Sequence, residues 1–285
     1  MYFDEDLLLD VRLNTLNKYV NKFVISESLY THNGSKKKLN FDISKFSKYK
    51  EKIIYIVVEN EPPNILKISE NDSDEKKGKK LILNGMARDY YQRENLHKGL
   101  ENANNNDLVL ISDLDEIPNL KKLKNFKKKM RFAVFEQLHF YYKFNLKSQI
   151  NPHWYGSRVC VKKFLKSPQW LRDLKFKKRP FWRIDKLRLN NIISDGGWHF
   201  CNLKDPEKIL YKYKNLCETD DPIVFNEKIE KKYLDIEEIK KRINNGFDII
   251  GRSEKYLPTK LDNKFPKHIL ENREKYSNWI INLEN

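Results

Sequence analysis

The sequence predicts an α/β fold in which a central, mostly parallel sheet is flanked by helices and followed by a helical C-terminal extension. Residues 22–26 and 53–58 are short runs rich in β-branched side chains, each followed by a polar loop, as expected of strands. Apolar residues recur at helical spacing over residues 88–100, and four apolar residues at 108–111 predict a central, buried strand. Strand, helix and strand in this order predict parallel pairing through a right-handed crossover.

Three carboxylates and a proline follow this third strand directly, at Asp113, Asp115, Glu116 and Pro118. The carboxyl edge of an open α/β sheet is where such proteins bind ligands. Two hard oxygen donors one residue apart can hold Mn²⁺ or Mg²⁺, with a diphosphate filling the remaining positions. The Asp-x-Asp pattern resembles that of nucleotide-sugar transferases. An acidic turn that caps the next helix is the alternative.

Later elements are predicted from spacing and composition. Leu120, Leu123 and Phe126 indicate a short amphipathic helix, and the aromatic-rich residues 132–144 indicate strands. A last helix ends before Gly246 and is indicated by the apolar positions Ile229, Tyr233, Ile236, Ile239 and Ile243.

Domain organisation is expected to be simple, because the chain has no internal repeat and no strong linker. The polar run 71–80 predicts a mobile surface loop. We expect one domain over residues 1–250 and an extension over residues 251–285 that packs on it.

The 285 residues carry a formal net charge of +16, and 39% of them are hydrophobic, which is too many for a disordered chain. No apolar run approaches the ~20 residues that span a bilayer. The N-terminal residues lack the basic and apolar regions of a signal peptide, so we expect a cytoplasmic protein. The odd, sparse set of cysteines Cys160, Cys201 and Cys217 predicts free thiols in a reducing compartment, and neither a disulfide framework nor a zinc site.

Positive charge is concentrated at residues 121–129 and 162–188. The second run has eleven Lys or Arg, two acids and five aromatic residues. This segment could bind an acidic surface, such as a polyanion or a membrane. A solvated face with a few core aromatics is the alternative. We regard nucleic acid as an improbable partner, and a non-catalytic polyanion-binding protein as the competing function. The carboxylates after the third strand argue against that function, because they would repel phosphates unless a cation intervened.

A second distinctive segment runs from Asp195 through two glycines to His199. The glycines allow a tight turn or a close approach to a ligand, and His199 stands between Trp198 and Phe200. A core histidine bonded to a backbone carbonyl is the alternative. Because imidazole suits Mn²⁺, we expect His199 to join Asp113 and Asp115 as a metal ligand.

The sequence resembles glycosyltransferase family 17, which includes the bisecting β-1,4-N-acetylglucosaminyltransferase of N-glycan synthesis. Five segments in order carry the resemblance, from about residue 3 to about residue 248. They are Phe3-Asp4-Glu5-Asp6-Leu7-Leu8 with Arg12-Leu13; Phe23-Val24-Ile25-Ser26-Glu27-Ser28 with Thr31-His32-Asn33-Gly34; Gln92-Arg93 with Gly99-Leu100; Ile111-Ser112-Asp113-Leu114-Asp115-Glu116-Ile117-Pro118; and Gly197-Trp198-His199-Phe200.

The resemblance implies a GT-A type nucleotide-binding fold and a metal-dependent, inverting transfer of N-acetylglucosamine from a UDP-sugar donor to a hydroxyl of a glycan or glycoconjugate acceptor. Another UDP-hexose is the alternative donor. For the donor site we assign Asp115 as a direct ligand of Mn²⁺ or Mg²⁺, and Asp113 as a ligand or ribose contact. Arg93 could approach the diphosphate, and Glu27 and Thr31 in the first loop could contact uridine.

The catalytic base must be a carboxylate on the acceptor side, opposite the diphosphate. Asp195 is our first choice because the adjacent glycines place it at the expected cleft. Asp173 and Glu218 are the other candidates. Glu116 is expected to be structural, as a cap of the turn before Pro118.

Overall fold

The computed structural model describes residues 1–126, 130–174, 191–215 and 235–283. These residues form a mixed α/β structure with three hydrogen-bonded sheets. The strands are β1 (Phe23–Ser28), β2 (Ile53–Val58), β3 (Leu108–Ile111), β4 (Glu116–Pro118), β5 (Phe132–Phe135), β6 (Gln137–Tyr141), β7 (Leu146–Ser148), β8 (His153–Trp154), β9 (Arg158–Val161), β10 (Ile192–Ile193), β11 (Gly197–Cys201) and β12 (Tyr256–Pro258).

The described helices lie between and outside these sheets. The α-helices are α1 (Asp6–Leu16), α2 (Asp74–Glu94), α3 (Pro168–Asp173), α4 (Pro206–Asn215), α5 (Ile236–Asn244) and α6 (Lys267–Glu271). The 3₁₀ helices are Ile43–Lys52, Asn95–Leu100, Leu120–Asn125, Lys162–Phe164 and Ser277–Trp279. Among the residues that the structure describes, no helix is both long enough and apolar enough to cross a membrane.

The first sheet pairs β1 with β2 in parallel, with Phe23 opposite Ile53, which confirms the two N-terminal strands. The predicted parallel pairing of β2 with β3 through a crossover is wrong, because β3 lies in another sheet. The second sheet has the order β10-β5-β9-β3. In it, β3 pairs antiparallel with β9 and stands at the end of the order, so the prediction of a central strand at 108–111 is wrong. Its burial alternates residue by residue, as in a strand with one covered face.

The third sheet has the order β12-β7-β6-β11-β4, and β8 also pairs with β6. Strand β11 runs parallel to β6 and antiparallel to β4. The prediction of a mostly parallel sheet is therefore wrong. The reason is the length of the connections. Only four residues separate β6 from β7, and a parallel crossover needs about a dozen or more.

The predicted loop over residues 71–80 is helical from Asp74 onward, where α2 begins. The hydroxyl of Ser73 accepts a hydrogen bond from the backbone N–H of Lys76 (3.3 Å), which caps the helix. Buried Asp72 forms ion pairs with Lys76 and Lys80. Together with acidic residues in the first turn, these contacts stabilise a helix that composition alone does not reveal.

Other predicted elements are found with changed boundaries. The helix predicted over residues 88–100 is the end of α2 with the 3₁₀ turn that follows it, and the turn after Pro118 is also 3₁₀. Helix α5 ends at Asn244, and Gly246 takes a φ of +67°. The first part of that predicted helix lies outside the described residues, as do residues 175–188 of the basic segment.

One large core joins the N-terminal helix, the sheets and the C-terminal region. Helix α1 buries Leu9, Val11 and Leu13 in it, and Phe200 of β11 packs in the same cluster. The region 251–285 adds strand β12 and helix α6, so it is not purely helical. Its apolar side chains in the same core are Leu261, Phe265, Ile269 and Tyr276.

Candidate functional site

A cavity of about 230 Å³ lies where the carboxyl ends of β1, β3 and β11 approach one another. Its walls come from the chain just after each of these strands, from the N-terminal residues, and from helices α2 and α4. The charged and polar residues among those that line it are Glu5, Thr31, His32, Lys37, Asp89, Gln92, Asp113, Asp115, Asn202, Lys204 and Lys212. Strand ends thus place both signs of charge around one space.

The turn that follows β3 is held in place by Arg12 of helix α1. Its guanidinium donates to the carbonyl oxygens of Asp113 (3.1 Å) and Glu116 (2.5 Å) and to the hydroxyl of Ser112 (2.5 Å). Because α1 is packed into the core, these bonds fix the backbone that presents Asp113 and Asp115 to the cavity.

The carboxylate of Asp113 lies between two arginines. Arg172 Nη2 is 2.7 Å from its Oδ2, and Arg93 Nη2 is 3.4 Å from its Oδ1. Burial raises the pKa of Asp113, but the guanidiniums of Arg172 and Arg93 outweigh burial and lower that pKa below its ordinary value. Asp113 is therefore a carboxylate whose charge is already compensated by protein groups.

Glu116 lies fully buried behind this pair. It accepts two hydrogen bonds from Arg172 (2.9 and 2.7 Å) and one from the indole N–H of Trp154 (2.7 Å). A Cβ at Gly156 would lie 1.8 Å from Glu116 Oε1, so only glycine permits this approach. These contacts give Glu116 a structural role, in agreement with the sequence-based expectation.

Asp115 has quite different neighbours. His199 Nε2 lies 3.4 Å from its Oδ2, and Cys201 completes a group whose three ligand atoms lie within 4.8 Å of one another. Burial raises the pKa of Asp115, but His199 and then Lys212 outweigh burial and lower it. His199 and Cys201 share one face of β11 because side chains alternate along a strand.

His199 is 6% exposed, and its Nδ1 is buried with no hydrogen-bond partner among the described residues. Its ring stacks on His139 and on Trp154, with centroid distances of 4.7 Å in both cases. A buried imidazole nitrogen without a partner is costly unless a ligand uses it. The group of Asp115, His199 and Cys201 fits a divalent cation, since it offers oxygen, nitrogen and sulfur donors with one ligand atom from each residue.

The model of glycosyltransferase family 17 matches residues 1–278 of the chain. The chain belongs to glycosyltransferase family 17. No curated protein and no solved structure matches it. The family match confirms the resemblance seen in the sequence and identifies the protein as a glycosyltransferase.

The structure brings some of the predicted site residues of this family 17 enzyme together. Thr31, Asp113 and Asp115 line the cavity. His199 contacts Asp115, and Arg93 reaches the cavity wall through Asp113 and through Asp89 (2.9 Å). The hydroxyl of Thr31 donates to the side chain of Asn33 (2.6 Å) and so shapes the loop after β1.

Glu27 is not among the residues that line the cavity. Its buried carboxylate accepts hydrogen bonds from Lys37, from the backbone N–H groups of Asn40 (2.8 Å) and Phe41 (3.0 Å), and from the hydroxyl of Tyr55 (2.9 Å). It therefore anchors the segment that brings Lys37 to the cavity wall.

Two candidates for the base are also placed away from the cavity lining. Asp195 precedes β11, at the end opposite to Cys201, and its side chain is 81% exposed and paired with Lys122 at 3.0 Å. Asp173 ends α3 and accepts a hydrogen bond from Gln169 (2.8 Å). Glu218 lies outside the described residues.

Sequence reasoning missed two neighbours of Asp115. Cys201 could have been found from its spacing, since it stands two residues after His199 on a strand. Lys212 of α4 gave no such signal. It lines the cavity and donates to the side-chain oxygen of Asn202 (2.9 Å), whereas Lys37 and Lys204 of the same cavity pair with carboxylates.

Proposed function

We propose that the enzyme has a GT-A type fold, that the cavity binds a UDP-sugar with a divalent cation, and that N-acetylglucosamine is transferred with inversion to a glycan hydroxyl. The observation that carries this proposal is the position of Asp115. It lines the cavity, contacts His199 and lies near Lys212, so carboxylate, imidazole and ammonium groups converge where a diphosphate would need neutralisation.

Each charged group has a separate role in donor binding. Asp115 and His199 would hold a divalent cation, and a cation bound there would stabilise the negative charge that develops on the leaving UDP. Lys212 donates to the diphosphate. Asp113 accepts a hydrogen bond from a ribose hydroxyl, since its arginine partners already balance its charge. Arg93 acts through Asp113 as a positioning residue.

Uridine binding is assigned to the loop after β1. Thr31 and His32 line the cavity there, and Arg88 donates to the carbonyl oxygen of His32 (2.9 Å), which fixes the loop against α2. The loop therefore offers backbone and hydroxyl groups in a defined arrangement. A preformed loop suits recognition of a flat base by hydrogen bonding.

Calorimetric titration with UDP tests the donor site. We expect binding in Mn²⁺ and little binding in EDTA, because the cavity carboxylates repel a diphosphate when no cation is present.

Lys212→Gln should weaken UDP binding in Mn²⁺ by about tenfold, the loss expected for one charge-assisted hydrogen bond of ~1.5 kcal/mol. Lys240→Gln, on the exposed face of α5, is the matched control. Equal UDP affinity with Mn²⁺ and with EDTA would refute the cation-dependent donor site.

For the base we retain Glu218, because Asp195 and Asp173 do not line the cavity and are bonded to other side chains. Glu218→Gln should lower transfer by about 10²-fold to 10⁴-fold, as loss of a general base does. Asp195→Asn is the matched variant, and we expect it to change turnover less than about twofold, because exposed ion pairs contribute little. The reverse pattern would make Asp195 the base.

A further inference from the structure

Cys201 is the third side chain beside Asp115 and His199, and its chemistry differs from theirs. It ends β11, next to the cavity residue Asn202, and lies two residues after His199, so both side chains leave the same face of the strand. The opposite face carries Trp198 and Phe200, which are packed in the core. The strand therefore holds imidazole and thiol side by side on a rigid support.

The donor set determines which cations suit such a group. Carboxylate, carbonyl and water ligands suit Mg²⁺, whereas a thiolate ligand favours more thiophilic ions such as Zn²⁺. Three protein ligands with a position left for water or substrate are the arrangement of catalytic zinc sites. Here the three ligand atoms lie within 4.8 Å of one another. Asp115 also lines the cavity from which a substrate oxygen would enter.

A thiol binds a divalent cation as its thiolate. Binding of a divalent cation would replace the S–H bond by a metal–sulfur bond and release one proton to solvent. Nε2 of His199 faces Asp115 at 3.4 Å, and its Nδ1 is buried with no hydrogen-bond partner among the described residues, so the described protein atoms do not satisfy the whole imidazole ring.

We propose that Asp115, His199 and Cys201 form a three-ligand site that selects a thiophilic divalent cation, such as Co²⁺ or Zn²⁺, over Mg²⁺. The proposal deepens the proposed function, on which it rests for the role of the cation in donor binding. Cys201 gives the site its selectivity, and Asp115 connects it to the cavity.

Optical titration with Co²⁺ tests the proposal without any assay of activity. A thiolate ligand to Co²⁺ gives a charge-transfer band in the near ultraviolet, and we expect this band in the complete chain. Cys201→Ser should abolish it and weaken Co²⁺ binding by at least ~10-fold to 100-fold, because even residues that only support a ligand have effects of that size. The matched controls Cys160→Ser and Cys217→Ser should keep the band.

Selectivity and proton release provide the second measurement. Mg²⁺ in large excess should not displace Co²⁺ from the unaltered protein, and Co²⁺ binding should release one proton more than in Cys201→Ser. Absence of the band in the unaltered protein, its persistence in Cys201→Ser, or displacement by Mg²⁺ at concentrations similar to those of Co²⁺ would overturn the proposal.

Alkylation of the unaltered protein covers the case in which Cys201→Ser does not fold. Zn²⁺ should protect Cys201 from iodoacetamide, as read by mass spectrometry, and equal labelling with and without Zn²⁺ would overturn the proposal. UDP titration separates the two hypotheses. A Co²⁺ band without cation-dependent UDP binding refutes the donor function alone, and cation-dependent UDP binding without the band refutes the sulfur ligand alone.

Discussion

Asp113 and Asp115 are separated by one residue, yet they lie in opposite electrostatic surroundings. The charge of Asp113 is balanced by Arg93 and Arg172, whereas Asp115 faces an imidazole, a thiol and the ammonium group of Lys212. A cation gains little from a carboxylate that two guanidiniums already neutralise. The two acids of an Asp-x-Asp pattern are therefore differentiated by their neighbours, and spacing alone does not assign their roles.

Substitution of Arg172 tests how far the structure depends on the arginines beside Asp113. Arg172→Met should lower the free energy of unfolding by about 3–5 kcal/mol, because buried Glu116 loses its charged partner. Urea denaturation measures this loss. Arg273→Met is the control, since its guanidinium donates to the carbonyl oxygen of Leu261 and pairs with no buried acid among the described residues. A loss below about 1 kcal/mol would show that Glu116 does not depend on Arg172.

The two acids themselves give the sharpest test. Asp115→Asn should raise the Mn²⁺ concentration needed for half-maximal UDP binding by about 100-fold, since an amide is a weaker ligand for a cation. Asp113→Asn should leave that concentration within about threefold while lowering UDP affinity itself, because only a ribose contact is weakened. Calorimetry at several Mn²⁺ concentrations separates the two effects. Equal increases in the required Mn²⁺ concentration for both variants would show that Asp113 and Asp115 do not differ as cation ligands.

The histidines on the Asp115 side of the site predict an effect of pH on stability, which is smaller than the effects of the substitutions above. Burial, reinforced by His199, lowers the pKa of His139 to about 3. In the unfolded chain this pKa is near ~6.5, so below that pH the unfolded state binds a proton that the folded state does not. The free energy of unfolding should therefore fall as pH drops from about 6.5 towards 3.

Replacing the titrating ring isolates the contribution of His139. Between about pH 6.5 and 4.5, the free energy of unfolding should decrease by about 1–2 kcal/mol less in His139→Phe than in the unaltered protein. His153→Phe, at an exposed position of β8, should leave this pH dependence of the free energy of unfolding unchanged. Urea denaturation across this pH range is the measurement. The same dependence of unfolding free energy on pH in His139→Phe and in the unaltered protein would contradict the prediction.

The features that followed from local sequence signals were predicted best. A β-branched run identified β1 and β2, and an apolar run that ends in acids placed Asp113 and Asp115 at the wall of the cavity. The direction of β3 could not be predicted in the same way. Its partner β9 begins at Arg158, 47 residues after β3 ends at Ile111, and no local pattern reports such pairing.

The surroundings of a side chain could not be predicted where its hydrogen-bond partners lie far away in the sequence. Glu27 looked free to contact a nucleotide, but its hydrogen-bond donors come from residues 37–55, brought there by the fold. Asp195 stood beside glycines, which suggested a cleft, yet these glycines serve the close approach of backbone strands. A Cβ at Gly197 would lie 2.2 Å from the carbonyl oxygen of Ile117. Contacts of this kind depend on tertiary structure, which a single sequence does not display.

Strand β11 carries the core on one face and the site on the other, and the backbone N–H of Phe200 donates to the carbonyl oxygen of Asp115 (2.9 Å). The positions of Asp115, His199 and Cys201 are therefore set when the core forms. The conformational entropy lost in gathering these side chains is lost during folding and not when a ligand arrives. Such a site is preorganised, so occupation should leave far-ultraviolet circular dichroism unchanged while it raises the melting temperature.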